Sequence, residues 1–174
     1  MKLQLVSKQP VPIDLDEVKA HLRLLTGDED ELLRIYIDAV IDKAEQITGR
    51  ALSRRTYALY TEKAKEVELP YPPFRSIVSV EIDRGSGYEA CEYELDDKGV
   101  VAVVRFGEVC SETNCQKVVF ECGYDEIPAA IKSWIFVNIA NLYENRTSIN
   151  VESYKRMPRT FVDHLLDSYR VRQI

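Results

Sequence analysis

The hydrophobic period of this chain changes twice. Up to Gly49 apolar residues recur at helical spacing, from Thr56 to Glu121 they fall in short β-type runs, and from Ile127 the helical spacing returns. Helices therefore bracket a β-rich centre. Leu15, Val18, Leu22 and Leu25 form the first stripe, opened by Asp14 with Glu17 three residues on and closed by Thr26-Gly27. Asp28 opens a longer helix with Glu29, Asp30 and Glu31 in its first turn, where negative charge suits the dipole. Leu33, Tyr36, Val40, Ala44 and Ile47 mark its buried face, and Gly49 ends it. So short a joint predicts an α-hairpin.

After Arg50, strands are predicted at Thr56–Thr61, Glu66–Leu69, Ile77–Ile82, Tyr93–Leu95, Val100–Phe106 and Lys117–Glu121, as an antiparallel meander. Pro70, Pro72 and Pro73 impose a rigid turn, and Gly85-Ser86-Gly87 turns the chain back. Pro128 starts the last long helix, carrying Ile131, Trp134, Ile135, Ile139, Leu142 and Tyr143. A polar stretch from Asn145 to Arg159 reads as a mobile loop, and Phe161–Tyr169 as a short amphipathic helix. The first dozen residues, with Pro10 and Pro12, read as an extended arm. The expected fold is α+β and mainly helical. It is a small bundle of an N-terminal α-hairpin, a third long helix and a short C-terminal helix. An antiparallel β-rich insertion, residues 53–124, lies between the second and third long helices. Residues 1–174 are expected to form one domain, with 145–174 a partly mobile segment.

The residues offer little chemistry. His21 and His164 lie in separate amphipathic segments, and no G-x-S-x-G, phosphate-loop or G-x-G-x-x-G pattern occurs. Cys91, Cys110, Cys115 and Cys122 lack the paired C-x-x-C of a zinc site, and Cys122 reads as a small buried hydrophobe. Asp28-Glu29-Asp30-Glu31 is a favourable helix start, and Asp96-Asp97-Lys98-Gly99 is turn chemistry. The reading is of a non-enzyme without catalytic residues, metal or cofactor.

No run approaches the roughly 20 apolar residues of a membrane helix, and no signal-peptide pattern precedes Pro10, so a soluble, unexported chain is expected. The net charge of −6 disfavours a dedicated nucleic-acid binder. From Ser153 onward, however, Lys155, Arg156, Arg159, Arg170 and Arg172 outweigh Asp163 and Asp167.

The order of segments resembles the head–tail connector (adaptor, or head-completion) proteins of long-tailed bacteriophages and prophages. The resemblance rests on Pro12-Ile13-Asp14-Leu15-Asp16-Glu17-Val18-Lys19-Ala20-His21-Leu22, on Asp28-Glu29-Asp30, and on Glu45-Gln46-Ile47-Thr48-Gly49-Arg50. It continues through Leu69-Pro70-Tyr71-Pro72-Pro73-Phe74-Arg75-Ser76-Ile77, then Gly123-Tyr124, Ile127-Pro128-Ala129-Ala130-Ile131 and Leu142-Tyr143-Glu144-Asn145-Arg146.

The resemblance implies a structural protein of the virion neck, assembled in the host cytoplasm. Its partners would be further copies of itself, in a ring of about twelve, then the portal protein and the next neck or tail-completion protein. DNA would pass through the channel without sequence-specific binding, and no membrane is involved. Around Arg34, Tyr36 and Asp38 a helix face is expected to meet a neighbouring copy. The portal is expected to bind Tyr154, Lys155, Arg156, Arg159, Phe161, Leu165, Tyr169 and Arg170, where basic residues flank apolar anchors. The competing reading is a prophage-encoded regulatory module that binds nucleic acid or protein.

Overall fold

The computed structural model describes residues 1–109, 116–145 and 162–171. These divide into two compact units, each built from separated stretches of chain. One unit comprises Met1–Val11 with Arg50–Asp125, and the other Pro12–Gly49 with Glu126–Ile174.

The first unit is all β. Its strands are β1 (Lys2–Lys8), β2 (Arg55–Thr61), β3 (Glu66–Glu68), β4 (Phe74–Asp83), β5 (Tyr88–Ala90), β6 (Tyr93–Asp96), β7 (Val103–Phe106) and β8 (Gln116–Cys122). A five-stranded sheet runs in the order β1-β2-β8-β4-β5, and a three-stranded sheet in the order β3-β7-β6. Every pairing is antiparallel. β8 alternates buried Gln116, Val118, Phe120 and Cys122 with more open positions, the period-two pattern of a strand with one face in a core. That core is shared by the two sheets: Tyr57, Leu59, Val80, Val118 and Phe120 from one meet Val67, Val104 and Phe106 from the other. The buried polar member, Gln116, is satisfied by the backbone, accepting from Ala64 N at 3.0 Å and donating to Ala64 O at 2.9 Å.

The second unit is helical. α1 (Leu15–Leu22) is capped by Asp14, whose carboxylate accepts from Asp16 N at 3.0 Å. α2 (Asp30–Thr48) ends at Gly49 in the left-handed region, φ 69°. α3 (Ala129–Glu144) follows Pro128 and buries Ile131, Trp134, Ile135 and Ile139. A 3₁₀ segment, Asp163–Tyr169, closes the described chain. Leu33, Ile37, Val40, Ile41 and Ala44 of α2 join Val18 and Leu166 among the buried side chains.

The mainly helical expectation is overturned. Of the described residues 34% are helical and 30% lie in strands, forming two sheets rather than a small insertion in a bundle. Three physical reasons account for the difference. The N-terminal arm is an edge strand: Lys2 to Leu5 pair with Tyr60 to Tyr57, and a bulge at Val6 precedes Ser7↔Thr56. Pro10 and Pro12 end that strand rather than keeping the segment single. The strands also do not meander, because β8 enters between β2 and β4 and joins segments far apart in sequence. Finally, α1 stops early. Arg23 takes the left-handed conformation at φ 58° and Leu24 N donates to Lys19 O, so Leu25 leaves the helix and is 99% exposed. The joint to α2 is consequently longer than the predicted tight turn.

Candidate docking surfaces

Among the described residues no group of three or more His, Cys, Asp and Glu is placed to hold a metal ion. His21 is exposed, with its ring 5.4 Å from that of Phe136, and His164 Nδ1 donates to the Asp167 carboxylate at 2.6 Å. Arg170 lies 3.2 Å from the same carboxylate, and hydrogen bonding to His164, then the charge of Arg170, holds Asp167 below its ordinary pKa. Cys122 is fully buried in β8 and Cys91 half-buried, while Cys110 and Cys115 fall outside the described residues.

The residues expected at a ring contact divide between two faces of α2. Arg34 and Asp38, one turn apart, are both exposed, and Arg34 pairs with Glu31 at 3.1 Å. At about 100° per residue Tyr36 lies roughly 200° round the helix from either of them, and it is half-buried. One flat contact cannot engage all three; Ile35, 60% exposed, lies closer to the Arg34–Asp38 face.

Of the residues expected to bind a portal, Tyr154, Lys155, Arg156, Arg159 and Phe161 lie outside the described residues. Leu165 and Tyr169 are half-buried and Arg170 is exposed. Between them Leu166 is fully buried, and Val171 N donates to Thr48 O at 2.8 Å at the end of α2. This segment is thus a packed part of the helical unit as well as a possible handle. That unit is further tied by Lys132 to Glu17 at 2.6 Å, Lys19 to Asp30 at 3.0 Å, and Tyr143 donating to Glu29.

In the β unit two charged features stand out that the sequence reading passed over. Arg54 and Arg75 converge on the exposed carboxylate of Asp125, the latter at 2.6 Å, and hydrogen bonding from Arg54, then Arg75, lowers its pKa. They border a recess of about 90 Å³ that Ser7, Arg55 and Glu121 also line. Second, the segment from Glu81 to Asp97 carries seven carboxylates (Glu81, Asp83, Glu89, Glu92, Glu94, Asp96, Asp97) against one base, Arg84. Counting charges by segment would have found it. The sheet order divides it: Glu81 and Asp83 lie on β4, Glu89 lies on β5 at one edge of the five-stranded sheet with β1 at the other, and Glu94 and Asp96 lie on β6 of the three-stranded sheet. Asp83 closes the intervening hairpin by accepting from Gly85 N at 2.8 Å and Gly87 N at 3.2 Å.

Comparison with known proteins bears on these surfaces. No curated protein matches the chain. Among solved structures, it is similar over its whole length to a chain in the neck of an empty GTA particle computed with C6 symmetry, at 21% identity and a TM-score of 0.76, covering 97% of that chain. It is likewise similar to a chain of the virion of a native gene transfer agent (GTA) particle, at 22% identity and TM-score 0.75. A third, at 19% identity and TM-score 0.74, comes from the neck of a native GTA particle computed with C12 symmetry, and both comparisons again span 100% of this chain and 97% of the other. The resemblance carried by the helix starts and the proline turn is found independently, for residues 12–90 match the family of phage gp6-like head-tail connector proteins.

Proposed function

We propose that this protein is a structural component of a phage or phage-like neck, assembling as a ring beneath the portal after DNA packaging, extending the channel and docking the next neck or tail component. The observation that supports this reading best is the end-to-end likeness of the fold to chains from particle necks, two of them computed with six- or twelve-fold symmetry. The family match over residues 12–90 agrees with it. A role of this kind needs surfaces rather than a reactive pocket. A ring in turn needs two unlike faces on each copy, because only a heterologous contact repeats around a closed circle. The exposed side of α2 that carries Arg34 and Asp38 is one such lateral face, with Tyr36 contributing from within. The segment from Tyr154 to Ile174 is the handle for the portal. The net charge of −6 suits a passage that phosphates traverse without being held.

The test is to add the protein to the portal ring of its own particle and image the product. A second ring stacked on the portal, of about twelve copies, is the expected result. A protein that never adds to the portal, or that instead binds duplex DNA with a steep salt dependence, overturns the reading and favours a nucleic-acid-binding module.

A further inference from the structure

We infer that the two opposite edges of the five-stranded sheet bind one another between copies, β1 of one chain adding in parallel to β5 of the next. The inference rests on the ring reading above and adds a lateral contact in the β unit to the one assigned to α2.

An open edge strand presents unpaired backbone donors and acceptors, and it invites another chain unless something blocks it. β1 is such an edge: it pairs on one side with β2 alone. Leu3 packs against the core, but the other two apolar side chains of β1 are left open, Leu5 being 49% and Val6 58% exposed. β5 is the other edge, with all three of its residues exposed, including the ring of Tyr88.

The charges of the two edges are complementary. Residues 1–13 contain Lys2 and Lys8 and no acid. Around β5 stand Glu89 and Glu92, both exposed; of the other acids close in sequence, Glu81 pairs with Lys117, and Glu94 and Asp96 with Arg105. Arg84 is itself engaged, by Glu89 at 3.1 Å and Glu108 at 2.7 Å, so the local excess is negative. A second copy therefore offers each edge what it lacks. Self-pairing of β1 with β1 would set lysine against lysine, and of β5 with β5 carboxylate against carboxylate; like charges placed opposite are unfavourable. The charges thus select the head-to-tail joint over the two-fold one.

The sheet's parity sets the direction of that joint. Four successive antiparallel pairings separate β1 from β5, so the two edges run the same way. A step of about 30° or 60°, for twelve- or six-fold rotation, keeps strand directions nearly aligned. β5 of one copy and β1 of the next therefore meet in parallel. A two-fold dimer through β1 would instead be antiparallel. With three residues in β5, the joint makes only a few backbone hydrogen bonds, so each contact is weak alone and gains strength from ring closure.

A zero-length carbodiimide, which couples lysine to a carboxylate only where the two already touch, tests this on the full chain. Isotope-labelled and unlabelled protein are mixed at high concentration, with the portal present, then cross-linked, imaged and digested for mass spectrometry. The expected products are mixed-isotope links from Lys2 or Lys8 to Glu89 or Glu92. Ring formation on the portal should fall at least tenfold in a Lys2→Glu, Lys8→Glu variant, and should return, with inter-copy links between the same two edges, when Glu89→Lys and Glu92→Lys are added. Links within one chain, Lys117 to Glu81 and Lys132 to Glu17, at 2.8 and 2.6 Å, report that each variant is folded. Rings without the inter-copy links overturn the edge joint and leave the neck reading standing. Links within filaments or dimers, and never rings, keep the joint and overturn the neck reading. Neither links nor rings overturns both.

Discussion

Gly123 shows how a single residue can be unavoidable. It sits at φ 103°, a region that side chains rarely adopt, and a Cβ there would overlap the Ser53 carbonyl oxygen. Its N–H donates to Pro73 O at 2.9 Å, so the close approach cannot be relaxed by moving the strand end away. Gly123→Ala should cost about 2–4 kcal/mol of stability by chemical denaturation. Gln116 is a second such position. Replaced by Leu, it would leave Ala64 N–H and C=O buried without their partner, an expected loss of about 1–3 kcal/mol. Nothing in the sequence announces a buried glutamine; the polar side chain is explained by backbone 52 residues away, at Ala64, and by the Glu108 carbonyl. Glu81 and Lys117 couple at 2.8 Å, each largely covered. Hydrogen bonding to Lys117 depresses the Glu81 pKa, and hydrogen bonding to Glu81 raises that of Lys117. Their contribution is therefore present between the two titrations, lost on the acid side as Glu81 protonates below its ordinary 4.5, and on the basic side as Lys117 deprotonates above its ordinary 10.5. Glu81→Gln should flatten the acid limb of a stability–pH profile by up to about 1 kcal/mol, the scale of a partly exposed pair.

Elements were legible where local chemistry decides them. Gly49 stops α2, and the predicted strands at Thr56, Glu66, Ile77, Tyr93 and Lys117 fall within β2, β3, β4, β6 and β8. The failures came where partners decide. Lys2–Lys8 has a modest alternation that its pairing with β2 turns into a strand, and β8 pairs on both sides with strands at least 34 residues upstream. The helix faces were readable as buried or exposed: Arg34 and Asp38 are exposed on one side of α2, and Tyr36 is half-buried on another. The C-terminal handle carries a further consequence. Because Leu166 is fully buried and Val171 is bonded to Thr48, removing Tyr154–Ile174 should destabilise the helical unit as well as abolish attachment. Leu166→Ala alone is expected to cost about 2–4 kcal/mol, measured by thermal or urea melts. Charge substitutions at Lys155, Arg156 and Arg159 are thus the cleaner probe of portal binding, and should weaken it while leaving the melt unchanged.

At the scale of the molecule, the sequence carried the likeness to the connector family but not the balance of the fold. The resemblance was readable from helix starts, a proline turn and a Gly-Tyr pair, features fixed by local backbone demands. The size of the β unit was not, because it depends on two distant strands that complete the sheet. The charge pattern was present throughout as a count of acids, yet acquired direction only once the sheet placed β1 and β5 at opposite edges. The expected consequence is a salt-sensitive assembly: raising ionic strength from 0.05 to roughly 0.5 M should reduce ring formation on the portal, since exposed charge pairs are screened over a few ångströms at that strength. Quantitative imaging of portals with and without the added ring would measure it.

The position of β8 bears on how the chain comes into being on the ribosome. It occupies the centre of the five-stranded sheet, yet among the described residues it is the last strand to be synthesised. Until residue 122 has emerged, β2 and β4 have no common neighbour, and the strand pairs on either side of the gap are left as hairpin-sized fragments that are marginal in water. Residues 12–90, which bear the connector signature, end before this strand begins. They are a recognisable stretch of sequence without being a foldable one. Nascent chains arrested before Gln116 should therefore remain protease-sensitive through the whole β unit, and gain protection in one step once β8 clears the exit tunnel.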